Sequence, residues 1–191
     1  DYQNQLFCTH TLWVEGYNIG MALSRVDVNE HTVTLLHPIT IDGLVINPVE
    51  KNWVMVPGQN ALHCLYSFYP QYTLAELTDL QTACCRLSLQ ANLQPTATDL
   101  EDKMISISTV PQSINDSLYL LVHQKDDQHI YRDHLVKLNP ETLLPEAISQ
   151  RPVIEGGNCE GFWRGYLTVY SLFVWEDRTV ISFGEGDHYS G

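Results

Sequence analysis

A short apolar strand pattern recurs four times along this chain, and the recurrence constrains the fold more than any other feature of the sequence. The copies begin at residues 6, 62, 118 and 180, at intervals of 56, 56 and 62 residues. Each copy is rich in aliphatic, β-branched or aromatic residues, and turn signals such as Pro57-Gly58 and Asn139-Pro140 separate the copies from other apolar segments. The copies are Leu6–Thr11, Leu62–Ser67, Leu118–His123 and Val180–Glu185.

The spacing of these copies predicts an all-β fold built from blades. About four short strands for every roughly 50–60 residues is the arrangement of a β-propeller blade. WD repeats are shorter, and kelch repeats carry a double glycine, which this chain has only once, at Gly156-Gly157. We predict a partial β-propeller of about three to four blades, with approximate limits at 1–48, 49–104, 105–160 and 161–191. A β-sandwich, whose strands also alternate with frequent turns, is the alternative.

One segment has a pattern that also suits a helix. Leu74, Leu77, Leu80 and Cys84 fall at spacings of 3, 3 and 4 residues. The segment is short, it follows Pro70 closely, and threonine and tyrosine residues dilute the apolar pattern. We therefore favour strands over a helix there.

Composition and charge exclude several classes of function. The chain has 10 Lys and Arg residues against 23 Asp and Glu, a formal net charge of −13, so it lacks the basic surface that binds nucleic acid or an anionic membrane. No apolar run approaches the roughly 18–20 residues of a membrane span, and no signal peptide is visible. The five cysteines show neither zinc-ligand spacing nor a disulfide pattern, and we expect no metal and no cofactor. The cellular location stays open, with the secretory pathway or the extracellular space slightly favoured.

Three segments together resemble a known family of sugar-active enzymes. At Glu50–Pro70 an acidic residue and a lysine open one strand, and an apolar strand leading to a proline follows. The strand Leu118–His123 ends in histidine, with Tyr131 downstream, and Val180–Asp187 ends in Gly-x-x-Asp. In their order and spacing these segments resemble the five-bladed propellers of the GH130-like mannoside phosphorylases and hydrolases. The resemblance spans roughly residues 6–189.

The chain departs from that family in two places. The family's Glu-Asp-Pro-Arg motif, which precedes a strand like Leu6–Val14, is missing and would fall upstream of Asp1. The family's Gly-Gly-Thr-Pro run is replaced by Ser-Ile-Ser-Thr-Val-Pro at residues 106–111. Because four repeats cannot close a five-bladed ring, we expect a C-terminal fragment whose remaining blades lie upstream of residue 1. Completion of the ring by other residues is the alternative.

The resemblance assigns substrate-binding roles to several residues. Lys51 and His123 match family positions that bind phosphate or substrate, and Asp187 matches an acid that holds sugar hydroxyls. The candidates for stacking on pyranose faces are Trp53, Tyr66, Tyr131 and Trp163, and packing between blades is the alternative role for such aromatic residues. A solvated lysine and a structural histidine are the alternatives for Lys51 and His123. The catalytic residues stay unassigned, because the family's proton donor belongs to the missing upstream blades.

These residues predict a glycan-active propeller, similar to a glycoside phosphorylase or hydrolase, that binds a sugar at the propeller axis, with phosphate as a candidate second ligand. A phosphorylase requires cations where a hydrolase holds a second carboxylate. Of the other carboxylates, Glu50 is expected to pair with Lys51, and Glu160 to lie in a turn. The missing motifs favour the alternative, a non-catalytic propeller that serves as a glycan-binding, structural or assembly module. Whether the protein is an enzyme stays open, and the expected partners are a carbohydrate, phosphate and other protein subunits.

Overall fold

The structure, a computed structural model, describes residues 5–14, 18–93, 104–156 and 166–185. The chain divides into two compact units: unit 1 contains residues 1–67 and 72–91, and unit 2 contains residues 68–71 and 92–191. All regular secondary structure in the described residues is β-strand, which confirms the predicted all-β class. None of these residues forms a helix long and apolar enough to cross a membrane.

The first sheet of unit 1 is a three-stranded antiparallel meander. Its strands are β1 (Leu6–Val14), β2 (Asn18–Asp27) and β3 (Thr32–Pro38), in that spatial order. The central strand β2 carries the buried residues, with Met21, Ala22, Leu23 and Ser24 all at most 5% exposed. The edge strand β3 is mostly exposed, as expected for a strand with one paired neighbour.

The second sheet of unit 1 has five strands in the order β4-β8-β7-β6-β5. Strands β5, β6 and β7 pair antiparallel, and β4 pairs parallel with β8. The segment with helical spacing forms two strands, because Asp79 accepts hydrogen bonds from the backbone of the turn after β7 and Ala83 adopts a positive φ of 51° before β8. The strands are β4 (Thr40–Asp42), β5 (Val54–Pro57), β6 (Leu62–Ser67), β7 (Gln71–Asp79) and β8 (Cys84–Asn92).

Both sheets of unit 1 contribute to one hydrophobic core. Strand alternation directs every second side chain of a strand to the same face, and the inward residues of six strands meet there. Burial of this apolar surface is the main term that stabilises the unit. The core consists of Met21, Leu23, Ile39, Ile41, Trp53, Met55, Leu62, Cys64, Ala75, Ala83 and Cys85.

Unit 2 contains a meander whose outer strands are interrupted. β9 and β10 pair with opposite ends of β11, and β13 and β14 pair with opposite ends of β12. Asn115 and Asp116 join β10 to β11 with φ values of 48° and 59°, which suit a tight two-residue hairpin turn. The strands are β9 (Ile105–Ile107), β10 (Gln112–Ile114), β11 (Ser117–Lys125), β12 (Tyr131–Leu138), β13 (Pro145–Ile148) and β14 (Ile154–Glu155).

A hairpin completes the described part of unit 2. It consists of β15 (Leu167–Trp175) and β16 (Arg178–Glu185), which pair antiparallel with a register shift between Val169 and Ser171. Leu167, Val169 and Leu172 of β15 pack with Leu121 of β11 in the core of the unit. The hairpin therefore packs on the face of the β11–β12 pair that carries Leu121.

Candidate functional site

Strand register in unit 2 brings four polar or aromatic residues to one face. His123 lies directly opposite Asp133, and Lys125 lies directly opposite Tyr131, in the β11–β12 pair. Residues two apart on a strand point to the same side of the sheet. All four therefore share the face that carries Leu121.

A loop held by an aspartate fixes that register. Asp126, after β11, accepts hydrogen bonds from the backbone N–H groups of Gln128 and Ile130 and from the Arg132 guanidinium. Arg132 also donates to Glu155 of β14, at 2.6 Å. The bond from Ile130 and the neighbouring Arg132 lower the pKa of the Asp126 carboxyl. The turn thus sets the pairing of Lys125 with Tyr131 and, two residues further, of His123 with Asp133.

Ser108 connects His123 to Asp133. It lies in the link between β9 and β10, and its N–H donates to the carbonyl of Leu121 at 2.9 Å. Its Oγ lies 2.9 Å from Nδ1 of His123 and donates to Oδ1 of Asp133 at 2.5 Å. The three side chains form one hydrogen-bonded chain.

The carboxyl group of Asp133 is buried, with 1% of the residue exposed. Burial raises its pKa to about 6, and the hydrogen bond from Ser108 acts in the opposite direction. Loss of hydration disfavours the ionised form, which is the usual effect of burial on a carboxyl group. Asp133 is therefore close to its proton-binding midpoint in mildly acidic solution.

An aromatic surface lies beside this chain of hydrogen bonds. The ring of Tyr131 is tilted against His123, with centroids 5.4 Å apart, and against Tyr166, with centroids 4.7 Å apart. The Lys125 ammonium lies 5.7 Å from the Tyr131 ring centroid, a cation–π distance. The three rings are partly exposed, and Lys125 is exposed. We call these four residues the His123–Tyr131 surface.

In unit 1, Lys51 differs in exposure from Glu50 and Trp53. Lys51 is exposed, whereas Trp53 is 1% exposed and belongs to the hydrophobic core. Glu50 is buried, and its carboxylate accepts hydrogen bonds from the Asn47 backbone and side chain, from Nε1 of Trp53 and, at 2.6 Å, from the Tyr66 hydroxyl. Burial and the bond to Glu50 raise the pKa of Tyr66. The expected pairing of Glu50 with Lys51 is therefore wrong, because these other donors occupy the carboxylate.

Three residues discussed from the sequence, Asp187, Glu160 and Trp163, lie outside the described residues. Within the described part of the chain, no group of three or more His, Cys, Asp or Glu side chains could hold a metal ion. Sequence reasoning missed Ser108 and Asp133. A carboxylate in the strand that follows β11, at the position opposite His123 in a hairpin pairing, was the signal that could have found Asp133.

Comparisons with known proteins add a likeness of fold. No protein-family model matches the chain, and a search of curated proteins finds no match. Among solved structures, the chain is similar to a β-1,2-mannobiose phosphorylase from Listeria innocua in complex with β-1,2-mannobiose, with a TM-score of 0.70 and 14% sequence identity. The superposition covers 96% of this chain and 52% of the phosphorylase, so the chain spans about half the length of that protein.

The likeness, together with the successive and mainly antiparallel sheets, confirms the predicted fold class. The chain has an all-β, partial propeller-like fold, shared with a phosphorylase of the group that the sequence resembles. At 14% identity the likeness concerns the fold, and a fold by itself does not define an activity.

Proposed function

We propose that this protein binds a carbohydrate at the His123–Tyr131 surface. The supporting observation is the partly exposed Tyr131 ring, flanked by two further rings and an ammonium group. Aromatic faces pack against the C–H faces of a pyranose, and nearby polar groups bind its hydroxyls, as in other small-molecule sites. The likeness of fold to a mannobiose phosphorylase makes a mannoside the first ligand to test.

Phosphate is the candidate second ligand. His123 and Lys125 place one titratable and one permanent cationic group on the same face, in a protein whose net charge is −13. An anion is attracted to such a local cluster and repelled by the rest of the surface. Lys51 of unit 1 stays a predicted phosphate ligand, and Asp187 a predicted sugar ligand.

Glycoside phosphorolysis or hydrolysis is the second candidate function. The fold of a mannobiose phosphorylase favours it. Asp133 is a poor proton donor for a glycosidic oxygen, because it is 1% exposed and is bonded to Ser108 behind His123. A phosphorylase or hydrolase activity would thus require a general acid other than Asp133. A glycan-binding module without catalysis would need only the aromatic surface.

Titration of the full chain with β-1,2-mannobiose, by calorimetry and by saturation-transfer NMR, tests the proposal. We expect binding in the wild type and a loss of about tenfold in affinity, equivalent to about 1.4 kcal/mol, for Tyr131→Ala. Tyr170→Ala is the matched control, because Tyr170 is 55% exposed and alternates on β15 with Val169, whose side chain packs in the core with Leu121. Equal losses in the two variants, or an unchanged affinity in Tyr131→Ala, would contradict the proposal.

Catalysis is tested separately by incubating the full chain with the disaccharide and phosphate. Release of a sugar phosphate indicates phosphorolysis, and release of free monosaccharides alone indicates hydrolysis. Binding without turnover supports the glycan-binding function and rules out both reactions for this substrate.

A further inference from the structure

The first sheet of unit 1 has an open edge at β3. Among the described residues, β3 pairs with β2 and with no strand on its other side. The segment Thr32–Leu35 at the start of β3, which we call the β3 edge, is exposed at every residue. In such a strand, every second residue directs its backbone N–H and C=O groups away from the sheet, where a further strand can bind them.

The β3 edge lacks the features that normally keep edge strands apart. Proteins protect these strands with charged side chains, prolines or bulges. Strand β3 contains no Asp, Glu, Lys or Arg, in a chain with 23 acidic and 10 basic residues. Its proline, Pro38, lies at the far end of the strand, and the register shift against β2 follows Leu35. The β3 edge is therefore regular and uncharged.

The side chains of the β3 edge alternate between the two faces of the sheet. Val33 and Leu35 share one face and are 65% and 48% exposed, and Thr34 lies on the other face. Val33 ends an apolar row that crosses the sheet, because it lies opposite Val26 of β2, which lies opposite Leu6 of β1. A strand added at this edge extends the row.

We propose that a second copy of this chain binds at the β3 edge, with the two β3 strands paired antiparallel about a two-fold axis. Directly opposite residues of an antiparallel pair lie on the same face of the sheet. One register covers both exposed apolar side chains: Thr34 of one copy lies opposite Thr34 of the other, and Val33 lies opposite Leu35. This pairing uses the same surface in both copies, so it closes at a dimer.

The sequence of the β3 edge explains why the partner is a copy of the same chain. In the two-fold register every side chain meets one of its own kind, threonine against threonine and aliphatic against aliphatic, and such pairs stabilise a sheet. Two copies with a net charge of −13 each repel one another, and an uncharged edge adds no repulsion at the contact. The contact is small, so we expect a reversible dimer. It lies in unit 1 and does not depend on carbohydrate binding.

Light scattering of the full chain during size-exclusion chromatography tests the dimer. We expect a monomer at about 1 μM and a dimer at about 200 μM, the range of a weak interface. Thr34→Glu should weaken dimerisation about tenfold, because two carboxylates then lie opposite each other. The same substitution leaves the monomer folded, because Arg25 lies opposite position 34 on β2.

Thr179→Glu, at an exposed threonine of β16, is the matched control and should dimerise as the wild type does. Three results would overturn the inference: a monomer at about 200 μM, a species larger than a dimer, or equal dimerisation of Thr34→Glu and Thr179→Glu.

Cysteine substitutions test the register. In the proposed pairing the two Cα atoms at position 34 lie about 5 Å apart, within reach of a disulfide. Those at position 32 lie about 14 Å apart, which is too far. Two thiols pass their hydrogens to added diamide, an azo oxidant that becomes a hydrazine, and form the disulfide. Thr34→Cys should give more covalent dimer than the wild type, whose own cysteines set the background, and Thr32→Cys should not. Equal amounts in the two variants, or no excess in Thr34→Cys, would overturn the inference.

Discussion

Replacement of Asp133 by asparagine should remove a pH-dependent loss of stability. Asp133 is 1% exposed, and burial raises its pKa from the usual 3.8 to about 6. A difference of this size corresponds to about 3 kcal/mol between the protonated and ionised forms of the folded protein. Asparagine has the same shape and carries no charge at any pH, and its carbonyl oxygen can still accept the hydrogen bond from Ser108.

The direction of the effect follows from proton binding in the two states. Between about pH 4 and pH 6 the folded protein holds a proton that the unfolded chain has already lost, so the free energy of unfolding falls as the pH rises through this range. The contribution of Asp133 is present below about pH 4 and is lost as the pH rises through 6. About half of the roughly 3 kcal/mol, close to 1.4 kcal/mol, is lost between about pH 5 and pH 8.

Urea unfolding of wild type and Asp133→Asn at about pH 5 and pH 8, followed by tryptophan fluorescence, measures this difference. The free energy of unfolding of the variant minus that of the wild type should be larger at pH 8 than at pH 5, by about 1.4 kcal/mol. Other titrating groups cancel, because both proteins contain them. Asp127→Asn, at an exposed aspartate after β11, is the matched control. A stability difference between wild type and Asp133→Asn that is the same at both pH values would refute the reasoning.

Three further predictions concern other parts of the chain. Glu50→Gln should lower the free energy of unfolding by about 1.5–3 kcal/mol, because the carboxylate accepts four hydrogen bonds and the amide cannot accept them all. Urea unfolding measures this loss. An unchanged free energy of unfolding would show that the carboxylate is dispensable. Leu121 has 0% exposure and lies in the core of unit 2. Leu121→Ala should therefore lower the free energy of unfolding by about 2–5 kcal/mol in the same assay. A decrease of less than about 1 kcal/mol would contradict this packing. Lys51→Ala should weaken phosphate binding about fivefold by calorimetry, for about 1 kcal/mol of lost attraction. Lys137→Ala is the control, and equal affinities of the Lys51→Ala variant and the wild type would show that Lys51 does not bind phosphate.

The strands could be predicted from the sequence because their signals are local. Each copy of the repeated pattern lies within one strand, in β1, β6, β11 and β16. The segment around Leu80 left a helix open as an alternative, because its turn contains neither glycine nor proline. There an aspartate side chain and a left-handed Ala83 form the turn. The parallel pairing of β4 with β8 is non-local, and nothing in the three residues of β4 indicates it.

The candidate site was only partly visible in the sequence. His123 and Tyr131 were identified from the resemblance, and the structure places both on one face of β11 and β12. In the hydrogen-bonded chain, Ser108 lies 15 residues before His123 and 25 residues before Asp133. Only the strand register and the path of the β9–β10 link bring these side chains together. The burial of Trp53 could not be predicted from the sequence either, because an aromatic residue two positions after a lysine fits a core as well as a ligand surface.

Mapping the disaccharide onto the protein by NMR tests the central claim most directly. With the aromatic and histidine resonances of the full chain assigned, added disaccharide should shift the rings of His123 and Tyr131 in a saturable manner. The exposed rings of Tyr170 and Trp175 on β15 should stay in place. Saturable shifts at Tyr170 and Trp175 with none at His123 and Tyr131 would contradict the proposed site, and no shift at any ring would contradict carbohydrate binding by this chain.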